Sequence, residues 1–278
     1  MRNLVYFTLF AFSLQSAASL KANVVYGNDD RQDLYDVHNP NFLQLADSTV
    51  ALVKKGDAKS AGGTVKLDLT SYALEQGLCT DEPFYDQSTA AFCSGFLVAP
   101  DTIVTAGHCI TSSFDCTDTV FVFGFSIDRK GGKTPADFPA SEVYECKQVI
   151  KTSQSPSADF AVVKLTRAVS GHVPLKVRQS GSIAKGDAVT VIGHPMGLPT
   201  KVAGGAHVRD LVGTTFVANL DTYGGNSGSA VFNDKTYEVE GILVTGETDF
   251  TMRGSCSISN HCGDGECSGD LRHKIPAF

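Results

Sequence analysis

The sequence predicts an all-β protein. Three observations carry that prediction: the apolar or alternating runs last only four to nine residues, they are rich in Val, Phe and Thr, and turn-forming Gly, Pro, Asp or Asn bounds them. In chain order, STVALV (48–53) opens after Asp47, and TVKLDL (64–69) follows a Gly pair. FCSGFLV (92–98) ends before Pro100, DTIVTA (101–106) before Gly107, and TVFVFGF (119–125) starts after Asp118. EVYECKQVI (142–150) follows Pro139, and FAVVKL (160–165) follows Asp159. AVTVIG (188–193) lies between Asp187 and Pro195, and TFVANL (215–220) between Gly213 and Asp221. GSAVF (228–232) precedes Asn233, and EVEGILV (238–244) closes before Gly246. Helical periodicity is weak throughout, with one turn expected at QLADS (44–48). The polar, turn-rich segment at 167–187 is the expected boundary between two β-units.

A chain of 278 residues that is 42% hydrophobic buries a substantial core. Its formal charge of -7, with scattered Lys and Arg, argues against nucleic acid and anionic membrane surfaces as partners. Residues 1–22 carry one early basic residue, a short apolar run and then small residues, the layout of a secretory signal with cleavage expected after Ala18, Ser19 or Ala22. The run is too short to span a bilayer, so the mature protein is expected to be exported, periplasmic or extracellular. In an oxidising compartment, eight cysteines read as a disulfide framework of up to four bridges. The cluster at 256–267 with His261 matches no common zinc spacing.

Three short motifs carry chemistry. TAGHC (105–109) presents His108, SADFAVVKL (157–165) presents Asp159 before an apolar strand, and DTYGGNSGSAVF (221–232) presents Ser227 in a Gly-rich turn. A weak alcohol nucleophile needs a base to take its proton and an acid to hold the base, and these three supply that set. Glycines around Ser227 leave room for a substrate carbonyl to approach amide N–H groups. An α/β-hydrolase elbow would read G-x-S-x-G with histidine last in the chain, whereas here Ser229 stands at the final glycine position and His108 comes first.

With these motifs the sequence resembles secreted bacterial serine endopeptidases of the chymotrypsin clan, trypsin-like and glutamyl-endopeptidase-like, over roughly residues 43–250. The resemblance implies two packed antiparallel β-barrels with the active site in the cleft between them. His108 and Asp159 would come from residues 24–170 and Ser227 from 171–278, which also hold a Cys-rich tail; residues 1–23 would be signal peptide and a short propeptide. It implies a catalytic His108, Asp159 and Ser227, an oxyanion hole from the N–H groups of Gly225 and Ser227, and a Cys93–Cys109 bridge. A substrate would add as a β-strand along 244–247 (Val244, Thr245, Gly246 and Glu247), so the partners are protein or peptide substrates of a monomer needing no cofactor and no metal.

The chain departs from its relatives at several places. Asn226 stands where digestive enzymes carry the Asp that pairs with a newly freed N-terminus, and VVYGNDDR from Val24 is similar to the mature start of glutamyl endopeptidases. Val244 stands where many relatives place a serine against the catalytic aspartate, so backbone N–H groups are expected to orient Asp159. Asp221, six residues before the nucleophile, falls at the base of the specificity pocket, which leads to an expectation of cleavage after Arg or Lys. Thr222 matches a pocket threonine of glutamyl endopeptidases, but Leu243 stands where they place a pocket histidine. The competing reading is a catalytically silent protease-like binding protein or toxin scaffold.

Overall fold

The computed structural model describes residues 25–155, 157–246, 248–263 and the backbone of 270–274. The expected signal segment and the Val24 start lie outside the described residues, as do Glu247 and Cys267.

Six strands form a closed antiparallel barrel: β1 (Thr49–Lys54), β2 (Cys93–Ala99), β3 (Thr102–Thr105), β4 (Thr119–Val122), β5 (Val143–Ser155) and β6 (Ala158–Leu165), in spatial order β4-β5-β6-β3-β2-β1 with β1 returning to β4. Closure removes the unpaired edges that these β-branched, Phe-rich runs would otherwise expose. The second half is a seven-stranded sheet of β7 (Ala188–Gly193), β8 (Lys201–Val212), β9 (Thr215–Ala218), β10 (Ala230–Asn233), β11 (Val239–Thr245) and β12 (Asp270–Lys274), with Arg31–Asp33 on the edge of β8. Its order is β7-β10-β11-β12-β9-β8, and β7 also pairs with β8. The fold is therefore mostly β, with one closed six-stranded barrel and further sheets.

A continuous apolar core joins the two halves. Val50, Leu52, Phe96, Phe121 and Tyr144 of the barrel are fully buried in the same cluster as Ile192, Phe232 and Ile242 of the second sheet. Each such side chain contributes about 1.5–3 kcal/mol by leaving water, so the halves are held in fixed register where they meet. The 167–187 segment connects them and is hydrogen-bonded to both: Leu175 N–H donates to Leu97 O, and Arg178 N–H to Val239 O.

Some elements differ from expectation. The turn expected at 44–48 is the end of a helix, Pro40–Ala46, capped by the Asn39 side chain and opened by a proline that fits a first turn. β8 was not anticipated, because Gly204 and Gly205 interrupt its apolar alternation. The 56–89 segment forms a hairpin, Ala58–Ala61 with Thr64–Leu67, and a short helix, Tyr72–Gln76. Cys79–Cys256 ties it to the hairpin Phe250–Arg253/Cys256–Ser259, and Cys116–Cys146 staples the barrel.

Within the connecting segment, His172 is nearly buried and stacks on Phe123 at 4.3 Å. Its Nδ1 faces Asp47 Oδ2 at 2.9 Å and its Nε2 faces Glu142 Oε2 at 2.8 Å. Burial disfavours its charged form, but the hydrogen bond to Glu142 and the charge of Asp47 outweigh burial and raise its pKa. A raised histidine stabilises the fold fully below the unfolded imidazole value and loses that contribution as pH rises through the folded one. We expect His172→Gln to lower stability more at pH 6 than at pH 9, read from urea midpoints of both proteins at each pH. A deficit that grows with pH would refute this assignment.

Candidate active site

His108 sits on the single 3-10 turn Gly107–Cys109 that leaves β3. Gly107 is required by contact: a Cβ there would lie 1.9 Å from Ser153 O and 2.9 Å from Asp159 Oδ1. Its absence lets the turn press against the β5–β6 hairpin, and Asp159 at the start of β6 meets the histidine. Asp159 Oδ2 faces His108 Nδ1 at 2.8 Å, and Oδ1 accepts the His108 backbone N–H at 3.0 Å. Burial favours the neutral acid, but the hydrogen bond and charge of His108 and the backbone N–H groups of His108 and Gly107 hold Asp159 below the usual carboxylate range. Asp159 is thus ionised at neutral pH and fixes the ring so that Nε2 is directed elsewhere. No serine from β11 takes part; Val244 is buried there.

The disulfide Cys93–Cys109 closes this loop, with Cα atoms 6.3 Å apart and a sequence separation of 16. On the chain-entropy estimate such a loop is worth about 3 kcal/mol. Cys93, His108 and Cys109 offer ligand atoms within 4.8 Å of one another. The two sulfurs are bonded to each other, however, which removes the thiolates a zinc site uses. Likewise Cys256, in the same Cys-rich cluster as His261, is bonded to Cys79.

Ser227 is half-buried on the turn between Leu220 and β10, and that turn packs against Ser94, Thr105 and Ala106, the last two leading directly into the His108 turn. Ser227 O accepts the Ser94 N–H at 2.8 Å and lies 3.7 Å from Cys109 Sγ. Gly228, with φ +89°, fits where a Cβ would lie 2.1 Å from Ser94 O, so only glycine lets the turn approach this closely. Among the described residues Ser227 Oγ makes no hydrogen bond; such contacts in substrate-free hydrolases tighten when substrate binds. The N–H groups of Gly225 and Ser227 donate to no described residue. The structure thus joins His108 to Asp159 directly and brings the Ser227 turn against the same loop.

The expected substrate-binding residues divide. Thr222 is fully buried, while Thr245 and Gly246 are exposed at the end of β11. Asp221 does not face an open pocket. It is 3% exposed, and its carboxylate accepts the Tyr26 N–H at 2.8 Å and the Asp30 N–H at 2.6 Å, fastening the N-terminal segment over the nucleophile turn. Burial pushes its pKa up to about 7. Beside it, Arg31 forks onto Asp29 through Nε (2.8 Å) and Nη2 (2.6 Å), with its guanidinium 4.0 Å from the Tyr223 ring. Sequence reasoning missed Arg31 and the buried Ser94, neither of which stands in a motif that signals a role.

The sequence pattern of the trypsin-like peptidase domain family matches residues 93–242. Over 277 aligned residues the chain is 26% identical to the glutamyl endopeptidase of Bacillus licheniformis, covering 89% of this chain and 78% of that protein. Among solved structures it resembles a Glu endopeptidase in complex with MPD, with a TM-score of 0.50 and 18% identity over 84% of this chain and 91% of that one, a likeness of fold alone. The expectation of cleavage after Arg or Lys falls on two findings: this relative is a glutamyl endopeptidase, and the Asp221 carboxylate that would attract a cation is engaged by backbone N–H groups. No helix among the described residues is long and apolar enough to cross a membrane.

Proposed function

The chain belongs to the trypsin-like peptidase domain family and is a serine endopeptidase acting on protein or peptide substrates, and from that premise we propose its catalytic residues, its preference and its setting. Ser227 Oγ attacks the peptide carbonyl, His108 Nε2 takes its proton and returns it to the leaving amine, and Asp159 keeps the ring in the tautomer that allows this. The N–H groups of Gly225 and Ser227 receive the oxyanion. Water then attacks the acyl-enzyme by the same relay. The observation that carries this reading is the double grip of Asp159 on His108, through the ring and the backbone.

Residues 24–170 and 171–278 are read as two barrels, the second supported by the pairing of β7 with both β8 and β10. The exposed Thr245 and Gly246 suit a substrate added as an extended strand. The 1–23 segment is read as an export signal, and three disulfides among the described residues suit an oxidising destination.

For the residue before the scissile bond we propose an acidic side chain. The support is the likeness to a glutamyl endopeptidase and the internal engagement of Asp221. Peptides differing only at that residue test this: Glu is expected to exceed Arg, Lys and Leu in kcat/KM by about tenfold or more, the scale on which one charge-assisted contact discriminates. A preference for Leu over Glu would reject the acidic assignment.

A further inference from the structure

The turn that carries Ser227 is held through the N–H groups of Gly224, Asn226 and Gly228, which donate to Asp249 Oδ2, Tyr223 O and Leu243 O, and through four of its carbonyls. Gly224 O accepts the Met196 N–H at 2.5 Å, Gly225 O the Ser94 hydroxyl at 2.9 Å, Asn226 O the Ser229 N–H at 2.9 Å, and Ser227 O the Ser94 N–H at 2.8 Å. In a planar trans peptide the N–H points opposite to the preceding C=O. Fixing Gly224 O and Asn226 O therefore fixes the directions of the Gly225 and Ser227 N–H groups, the two of this turn with no acceptor among the described residues.

Ser94 contributes two of these four anchors and is itself fully fixed. It is 0% exposed, its Oγ accepts the His194 N–H at 2.9 Å while donating to Gly225 O, and its carbonyl accepts the Thr105 hydroxyl at 2.7 Å. His194 in turn opens the 194–198 loop that supplies the Met196 N–H, and its own Nδ1 is closed onto Leu198 O at 3.0 Å. One hydroxyl thus couples the barrel strand β2, the loop after β7 and the nucleophile turn. Among the described residues the hydroxyl has no other hydrogen bond, and none joins Ser94 to His108 or Asp159. From this we infer that Ser94 is a positioning residue for the oxyanion hole: the Gly225 carbonyl that its hydroxyl holds belongs to the peptide unit between the two that carry the Gly225 and Ser227 N–H groups, and pinning that middle unit keeps the outer two aimed at the developing oxyanion. The inference rests on the reading of Gly225 and Ser227 given above.

Removing the hydroxyl leaves Gly225 O and the His194 N–H buried without partners and lets the turn drift. Its signature is a loss confined to the transition state, since the substrate strand binds elsewhere. In the full-length purified enzyme, with a fluorogenic peptide that the wild type cleaves, Ser94→Ala is expected to lower kcat about 10–100-fold and leave KM within about twofold. Affinity for a peptidyl boronate, whose tetrahedral adduct fills the hole, should fall by the same factor. Should Ser94→Ala not fold, Ser94→Thr and Ser94→Val add the same bulk and differ by the hydroxyl alone; kcat should be higher in Thr by a similar factor. Equal kcat in that pair, an unchanged kcat in Ser94→Ala, or a loss wholly in KM overturns the role of Ser94. Ser227→Ala measured alongside separates the levels: if it is inactive while Ser94→Ala is unimpaired, the Ser94 inference alone falls, and if it turns over normally both fall.

Discussion

Ser227→Ala is expected to lower peptide turnover on the order of a millionfold while leaving secretion, folding and substrate affinity intact. The size follows from the way such residues act: without the nucleophile there is no acyl-enzyme, and the base and its aspartate have nothing to activate. The fold should not notice the change, because the Ser227 hydroxyl makes no hydrogen bond to a described residue and the turn is held by its backbone groups. The check is twofold: kcat on a purified preparation, and labelling by a fluorophosphonate, which should modify the wild type and not the variant. Turnover near that of the wild type would move the nucleophile elsewhere in the chain. A folded wild type that resists the label would tell against an open, competent site.

The parts of the site that were legible in sequence are those built from neighbours. TAGHC carries its glycine, its histidine and its cysteine within five residues because the turn that presents His108 is local, and the hole left by Gly107 is filled by the hairpin that also bears Asp159. The strands were legible for a similar reason, since a run such as FAVVKL meets its environment residue by residue. Asp221 was misread because its partners, the N–H groups of Tyr26 and Asp30, stand 195 and 191 residues away, and a carboxylate bound to backbone N–H groups leaves no mark on the residues that bind it. A pocket position and a buried clamp look identical in one dimension. Ser94 was silent for the same reason: both partners of its hydroxyl, Gly225 O and the His194 N–H, are backbone groups, and backbone has no sequence. Cys79 and Cys256 were visible as cysteines, but their pairing across 177 residues follows only from the packing of the 56–89 segment on the C-terminal hairpin.

Asp159→Asn should have the second largest effect, about a ten-thousandfold loss in kcat at neutral pH, the scale seen when such an aspartate is made neutral. Asn keeps the shape and one carbonyl, which can still accept the His108 backbone N–H now taken by Oδ1 at 3.0 Å, so the turn should stay in place. Its amide group, however, would face Nδ1 where Oδ2 now stands at 2.8 Å, and a donor there stabilises the tautomer with the proton on Nε2. That is the nitrogen that must be free to take a proton from Ser227, so the base is present but wrongly protonated. The carboxylate is held below the usual range by the hydrogen bond and charge of His108 and by backbone N–H groups against the opposing pull of burial. Its stabilising charge therefore persists above the unfolded carboxylate value and is lost only as pH falls through the lower folded value. Two measurements test this together. The variant's melting temperature near neutral pH should stay within a few degrees of the wild type while its kcat collapses, and part of the lost rate should return at high pH, where hydroxide replaces the missing base. A variant with kcat within tenfold of wild type would mean that His108 is oriented by its backbone turn alone, and that Asp159 holds the loop without serving the reaction.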